Sequence, residues 1–113
     1  MANEHVPSLS ARQVLERSDA FSLIDVRKLA AAQASGKRVA GARYVDPFAL
    51  GFDHAVLQSV DPLVFYCVHG HEVSMFACAL ARVAGREAHY VEGGFLALVD
   101  AGADLVPFRG ESA

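Results

Sequence analysis

The side chain best suited to covalent chemistry is the thiol of Cys67, which directly follows an apolar run at residues 63–66. After it comes a short loop containing Gly70, and then a stretch with helical spacing. A cysteine that leaves a strand through such a loop lies beside backbone N–H groups that can bind an anion. The positive end of the following helix would stabilise a thiolate or a persulfide. We therefore predict covalent sulfur transfer, with Cys67 as the nucleophile.

The predicted active-site loop contains two histidines and one acidic residue. Its members after Cys67 are Val68, His69, Gly70, His71 and Glu72. Protonated His69 or His71 would favour a thiolate, whereas Glu72 would oppose it. Alternatively, the histidines are solvated loop residues, and Glu72 simply complements the helix dipole. Cys67, His69 and His71 could be imagined as metal ligands, but alternate positions in one tight loop rarely complete a tetrahedral site, so no metal is predicted. The predicted chemistry requires no organic cofactor either.

Alternating strands and helices must position this loop. Predicted strands are residues 21–26, 63–66 and 89–91; predicted helices begin at the Ser10–Gln13 capping box, at Leu29, after the loop, and at Phe95. Glycines at positions 36, 85 and 102 are placed to end three of these helices. The pattern predicts an α/β fold with a mostly parallel sheet flanked by helices on both faces. Ligand sites in such folds lie beyond the carboxyl ends of the strands.

The helix after the loop has the clearest apolar periodicity. Its predicted buried face comprises Val73, Phe76, Ala77, Leu80, Ala81 and Ala84. Cys78 lies near this face, so we predict that it packs in the core and is not a resolving thiol. Between Pro47 and Ser59, the sequence predicts only a weak helical segment at residues 54–59.

Composition limits the partners and the location of the protein. With 113 residues, 53% of them apolar, the chain suits one domain spanning residues 1–113 with an ordered core at roughly 8–108. A net charge of -3 and scattered basic residues disfavour nucleic acid. No apolar run is long enough to span a bilayer, and residues 1–5 lack a signal pattern. We expect a cytoplasmic protein with no membrane partner; the sequence predicts no oligomeric state.

Four blocks occur in the order typical of the rhodanese superfamily. They are Leu23-Ile24-Asp25-Val26-Arg27, which resembles the first-strand signature; Val39-Ala40-Gly41-Ala42, which resembles H-I-P-G-A; Cys67-Val68-His69-Gly70, which matches C-x-x-G; and Glu92-Gly93-Gly94-Phe95 with Ala101-Gly102, which resembles the closing elements. One block alone would be weak. Together they cover nearly the whole chain, and the sequence resembles a single-domain rhodanese-like protein.

The resemblance implies a rhodanese-like fold and sulfurtransferase activity. Cys67 would accept sulfur as a persulfide within the loop that ends at Glu72, while Asp25 and Arg27 would support the neighbouring loops without taking part in catalysis. The implied partners are a small-molecule or protein sulfur donor and a thiophilic acceptor. The alternative is a rhodanese-like binding or regulatory module with little turnover.

Two positions depart from the family pattern, and one residue disfavours a related chemistry. Glu72 stands where many single-domain relatives carry Arg, so we expect poor use of the thiosulfate dianion. Leu98 stands where relatives commonly carry Trp, and it is expected to fill the same core space. Cysteine phosphatases use C-x5-R, but the sixth residue after Cys67 is Val73, which disfavours phosphoryl transfer.

Overall fold

A computed structural model of the protein describes residues 7–109 and contains two sheets. The strands are β1 (Ser8–Leu9), β2 (Ser22–Asp25), β3 (Lys37–Val39), β4 (Arg43–Tyr44), β5 (Leu63–Tyr66), β6 (Ala88–Val91) and β7 (Leu105–Pro107). The helices are α1 (Ala11–Glu16), α2 (Leu29–Ser35), α3 (Glu72–Val83) and α4 (Gly94–Asp100), with 3-10 turns at Ser18–Ala20, Pro47–Ala49 and Ala55–Gln58. Residues 1–5, in which a signal pattern was sought, lie outside the described part of the chain.

The larger sheet has the strand order β1-β6-β5-β2-β4, and all of its pairings are parallel. Strands β3 and β7 form a separate antiparallel pair. The predicted α/β class with a mostly parallel central sheet is therefore confirmed. Among residues 7–109, no helix is long and apolar enough to cross a membrane.

The central strand β5 is buried on both faces because helices cover both sides of the sheet. Leu63 and Phe65 pack on the α3 side, whereas Val64 and Tyr66 pack on the side of α1 and α4. The alternation continues past the strand, so that Cys67 belongs to the α3 side. The period of the strand therefore decides which face of the sheet holds the thiol.

Most predicted elements are confirmed, with boundaries that differ by one or two residues. Helix α1 begins with a complete capping box, in which Ser10 Oγ accepts from the Gln13 N–H at 3.1 Å and Gln13 Oε1 accepts from the Ser10 N–H at 2.9 Å. Gly36 ends α2 as expected. The weak helix expected at residues 54–59 is the 3-10 turn Ala55–Gln58.

The predicted buried face of α3 is wrong in part. Phe76 is 58% exposed and Ala84 is also exposed. The residues that are buried are Ser74, Ala77, Cys78 and Ala81. At about 100° of rotation per residue, Phe76 lies nearly opposite this stripe. All four buried side chains are small, which allows the helix to pack closely against the sheet. The prediction relied on the hydrophobicity of the side chains, whereas their size determines which face of α3 is turned to the sheet.

The hydroxyl of Tyr66 joins three strands. It donates to Asp25 Oδ2 at 3.0 Å and accepts from the Val39 N–H at 3.2 Å. Burial, together with the nearby Asp25 carboxylate, raises the pKa of Tyr66. Burial also raises the pKa of Tyr44 to about 12, with Asp46 and Asp25 adding to the effect. Both phenols therefore remain protonated in the folded protein at pH values where a free phenol ionises.

We predict that Tyr66→Phe lowers the free energy of unfolding at neutral pH by about 1–3 kcal/mol, because the buried Val39 N–H loses its acceptor. The wild type should also lose stability as the pH rises above 10.0, the ordinary value for Tyr66, because the unfolded chain releases that proton first. In the variant this alkaline loss should be shallower.

Urea unfolding at neutral and alkaline pH, followed by circular dichroism, measures both effects. Tyr90→Phe is the matched control, because Tyr90 is half-buried and its hydroxyl makes no hydrogen bond within residues 7–109. Equal behaviour of the two variants would contradict the role given to the Tyr66 hydroxyl.

Candidate active site

The carboxyl ends of three adjacent strands meet around Cys67. Cys67 follows β5, Arg27 and Lys28 lie just beyond the end of β2, and the turn Gly93-Gly94 connects β6 to α4. Because β2 and β6 flank β5 in the sheet, these segments lie on either side of the cysteine. This edge of a parallel sheet is where ligand sites are expected.

A pocket of about 370 Å³ opens at this edge. It is lined by Arg27, Lys28, Ala31, Cys67, Val68, His69, His71, Glu72 and Val73. The Cys67 side chain is 6% exposed, so a reagent reaches its sulfur through this pocket. The volume is within the range of small-molecule sites. All of the predicted loop residues except Gly70 line the pocket together.

Gly70 is buried because it packs against the turn before α4. Its φ angle is +75°, and a Cβ at this position would lie 2.5 Å from the Val91 carbonyl oxygen. Gly94, with φ +62°, makes the reciprocal approach: a Cβ there would collide with the Cys67 carbonyl oxygen and lie 2.6 Å from the Gly70 nitrogen. The loop and the turn are therefore in direct backbone contact, with no room for a side chain between them.

The N-terminus of α4 sets the orientation of the loop peptides. The Phe95 N–H donates to the Cys67 carbonyl at 2.7 Å, and the Leu96 N–H donates to the Val68 carbonyl at 3.4 Å. In a trans peptide the C=O and N–H point in opposite directions, so the N–H groups of Val68 and His69 point away from α4. The thiol lies on that opposite, α3 side of the sheet.

These N–H groups are available to a ligand. Within residues 7–109, no protein group accepts a hydrogen bond from the N–H of Val68, His69, Gly70 or His71. The first N–H groups of α3 likewise have no partner within their own helix. Of these groups, the N–H groups of Val68 and His69 point to the side of the sheet that holds the thiol, where they can stabilise negative charge.

Ser74 is a site residue that sequence reasoning missed. Its hydroxyl lies 3.2 Å from Cys67 Sγ and donates to the His71 carbonyl at 3.3 Å. A thiol at Cys67 can donate to this hydroxyl, whereas a thiolate can accept from it after the hydroxyl rotates. One signal was available: Ser74 is in the first turn of α3, and helical side chains lean towards the N-terminus and hence towards the loop.

Arg27 and Asp25 form a buried ion pair. Arg27 is 1% exposed and Asp25 is fully buried, with 2.6 Å between Nη2 and Oδ2. The guanidinium also donates to Ser35 Oγ at 2.9 Å and to the Lys37 carbonyl at 2.8 Å. It lies 4.2 Å from the centre of the Phe95 ring. These contacts tie β2 to α2, β3 and α4, and they favour the supporting role predicted for both residues.

Lys28 is a second residue that sequence reasoning missed. It follows Arg27 and lines the pocket with Glu72, and both side chains are exposed. The rings of His69 and His71 are 6.5 Å apart on the same wall. Among the described residues, no group of three or more His, Cys, Asp or Glu side chains could hold a metal ion. The pocket therefore combines the cysteine with charges of both signs.

Cys78 lies on α3 and is buried in the hydrophobic core, as predicted. Burial raises the pKa of its thiol to about 11, whereas nearby Arg82 has the opposite and smaller effect. The thiol is therefore protonated at neutral pH, which makes Cys78 a poor nucleophile.

The sequence model of the rhodanese-like domain matches residues 10–101. The chain belongs to the rhodanese-like domain family. No curated protein sequence is significantly similar to it. The predicted family resemblance is thus confirmed for most of the chain.

Solved structures of other proteins share the rhodanese-like fold at low sequence identity. A rhodanese-related protein from Thermoplasma volcanium has a TM-score of 0.76 and 22% identity, over 88% of this chain and 96% of that one. A protein of unknown function from Rhodopseudomonas palustris, described as a possible tyrosine phosphatase, has a TM-score of 0.75 and 21% identity, over 93% of this chain and 88% of that one. The thiosulfate sulfurtransferase from Pseudomonas aeruginosa has 0.75 and 18%, over 90% of this chain and 19% of that one.

Two departures from the rhodanese-like pattern have different consequences. Leu98 is fully buried on the α4 side of the sheet, so it occupies core space as expected. Glu72 begins α3 and lines the pocket. The first change affects packing, whereas the second places a negative charge beside the cysteine.

We predict that Gly94→Ala destabilises the protein by about 1–3 kcal/mol more than Gly36→Ala, because the added methyl group overpacks the contact with the loop. Both glycines have positive φ, of +62° and +68°, but a Cβ at Gly36 meets nothing within 4 Å. The loss of stability in Gly36→Ala therefore measures only the cost of a left-handed backbone for a residue with a side chain, about 1–2 kcal/mol. Urea unfolding of the two variants measures the difference; equal losses would show that the contact has no steric cost.

Proposed function

We propose that this rhodanese-like protein is a sulfurtransferase that carries sulfane sulfur as a persulfide on Cys67 and passes it to a thiophilic acceptor. The observation that carries the proposal is that, within residues 7–109, the loop N–H groups after Cys67 have no protein acceptor. Those of Val68 and His69 point to the side of the sheet that holds the thiol, which supports the binding there of an anion formed at the sulfur. Stabilisation of developing charge by preorganised backbone donors is a large catalytic effect.

The reaction needs two displacements at sulfur. In the first, the Cys67 thiolate attacks the sulfane sulfur of the donor, and the donor fragment leaves with the electron pair of the broken bond. In the second, the acceptor attacks the outer sulfur of the persulfide, and Cys67 leaves as a thiolate. Both steps place negative charge near the loop N–H groups, and neither step requires a metal or an organic cofactor.

The hydroxyl of Ser74 would assist both displacements. At 3.2 Å from Sγ, it can donate to the thiolate before the first step and to the departing thiolate in the second. Its alternative acceptor, the His71 carbonyl at 3.3 Å, holds the hydroxyl near the sulfur when the thiol is protonated.

The carboxylate in the pocket disfavours thiosulfate as the donor. Glu72 lines the pocket with Cys67, and its carboxylate repels a dianion. Arg27 also lines the pocket, but its guanidinium is paired with Asp25. We therefore propose a small-molecule or protein persulfide as the donor.

Phosphoryl transfer is disfavoured by the residue that follows the loop. Val73 stands six positions after Cys67, where cysteine phosphatases use Arg, and it packs partly buried against the core. A tetrahedral phosphoryl group would lack the bidentate guanidinium contact that it needs.

The first prediction concerns the sulfur carrier. After incubation with a low-molecular-weight persulfide, intact mass spectrometry should show a gain of one sulfur atom that cyanide removes. Cys67→Ser should abolish the gain, whereas Cys78→Ala should retain it, because the Cys78 thiol is buried and protonated. Thiosulfate should load the protein more slowly. If neither donor forms an adduct, the protein is better described as a binding module.

The second prediction concerns Ser74. Ser74→Ala should slow sulfur loading of Cys67 by about 10- to 100-fold, since a hydrogen bond to a charged group is worth about 1.5–3 kcal/mol. The matched control is Ser22→Ala, which removes a half-buried hydroxyl paired with Ser59 at 2.9 Å, away from the pocket. A single-turnover loading assay measures the rates. Unchanged loading in Ser74→Ala would exclude the role assigned to this hydroxyl.

A further inference from the structure

Two opposite charges line the pocket, and neither has a protein partner in the part of the chain that the structure describes. Lys28 directly precedes α2, and Glu72 is the first residue of α3, so the two side chains come from different segments. Both are exposed, and both line the pocket that contains Cys67. Within residues 7–109, neither side chain forms an ion pair or a hydrogen bond. Both charges are therefore available to a bound molecule.

The third charged side chain in the pocket, Arg27, is already paired within the protein. Its guanidinium forms an ion pair with Asp25 at 2.6 Å and donates to the Lys37 carbonyl at 2.8 Å. His69 and His71 are exposed on the wall formed by the loop. At neutral pH, Lys28 thus supplies positive charge and Glu72 supplies negative charge to the same small space.

We propose that the sulfur donor is a small zwitterionic persulfide, namely the persulfide of an α-amino acid thiol. Its carboxylate pairs with Lys28, its ammonium group pairs with Glu72, and its sulfane sulfur faces Cys67. This inference rests on the proposed function, because it specifies the donor for that same site. A thiosulfate dianion would be attracted by one of the two side chains and repelled by the other.

The shape of the pocket suits such a donor. Its volume of about 370 Å³ accommodates a molecule of amino-acid size. Ala31, Val68 and Val73 provide apolar lining for a short carbon chain. The Cys67 side chain, 6% exposed, is reached by the thin end of a linear molecule more readily than by a bulky group.

The transfer is balanced without an added oxidant or reductant. The Cys67 thiolate attacks the outer sulfur of R–S–SH, a new S–S bond forms, and the S–S bond of the donor breaks. Its electron pair leaves on the inner sulfur as R–S⁻, and Cys67 becomes Cys67–S–SH. The charged groups of R take no part in bond exchange, so their contacts with Lys28 and Glu72 persist through the step.

Four donors test the proposal on the full chain. Cysteine persulfide carries both charged groups, 3-mercaptopropionate persulfide lacks the ammonium group, cysteamine persulfide lacks the carboxylate, and thiosulfate is the dianion. Loading rates of Cys67 are measured by mass spectrometry for the wild type, Glu72→Gln and Lys28→Gln. The matched controls are Glu16→Gln and Arg12→Gln, which change exposed charges on α1 outside the pocket.

Glu72→Gln should slow loading from cysteine persulfide and cysteamine persulfide about three- to five-fold, as expected for partly exposed ion pairs. It should accelerate 3-mercaptopropionate persulfide and thiosulfate, because the carboxylate repels both anions. Lys28→Gln should slow the two carboxylate-bearing persulfides but not cysteamine persulfide, whose ammonium group Lys28 repels. Glu72→Asp and Lys28→Arg should retain the wild-type order of donors, and both α1 controls should match the wild type.

Two results would overturn the inference in distinguishable ways. If the wild type loads from every persulfide but Glu72→Gln and Lys28→Gln change all the rates equally, the zwitterion is wrong and the sulfurtransferase assignment stands. If no donor loads Cys67 in the wild type, both the donor and the proposed function fail.

Discussion

The site depends on the backbone contact between the cysteine loop and the start of α4. Gly70 and Gly94 approach each other with no space for a side chain, and the Phe95 N–H holds the Cys67 carbonyl at 2.7 Å. Because the carbonyls of the loop are directed to α4, the N–H groups of the same peptides are directed to the other side, where the thiol lies. The contact between the loop and α4 therefore determines the direction of the Val68 and His69 N–H groups.

The buried pair of Arg27 and Asp25 supports this arrangement from the neighbouring strand. A charge this deeply buried requires a charged partner and further hydrogen bonds, and Arg27 has them in Asp25, Ser35 and the Lys37 carbonyl. Its guanidinium also packs on Phe95, the residue whose N–H holds the loop. Because the guanidinium of Arg27 is committed to these contacts, the exposed ammonium group of Lys28 is more available than Arg27 to a bound molecule.

The rhodanese-like fold by itself does not decide which molecule binds in the pocket. The scaffold places Cys67 at the end of β5 and orients the next two peptides of the loop through α4, whereas the side chains on the pocket wall differ from the family pattern at Glu72. The carboxylate at this position lowers the attraction for anionic donors. Under the proposed function, selection among sulfur donors would depend on a few exposed side chains and not on the sheet.

Local interactions allowed the sequence alone to determine the α/β class, the capping box at Ser10 and the strand that ends just before Cys67. The short strands β1, β3, β4 and β7 were missed because each of them forms by pairing with a distant segment, as when Ser8 pairs with Tyr90. The buried face of α3 and the places of Ser74 and Lys28 also depended on packing between segments. Periodicity records which residues can share a face, but only the tertiary structure decides which face meets the sheet and which loops meet at its edge.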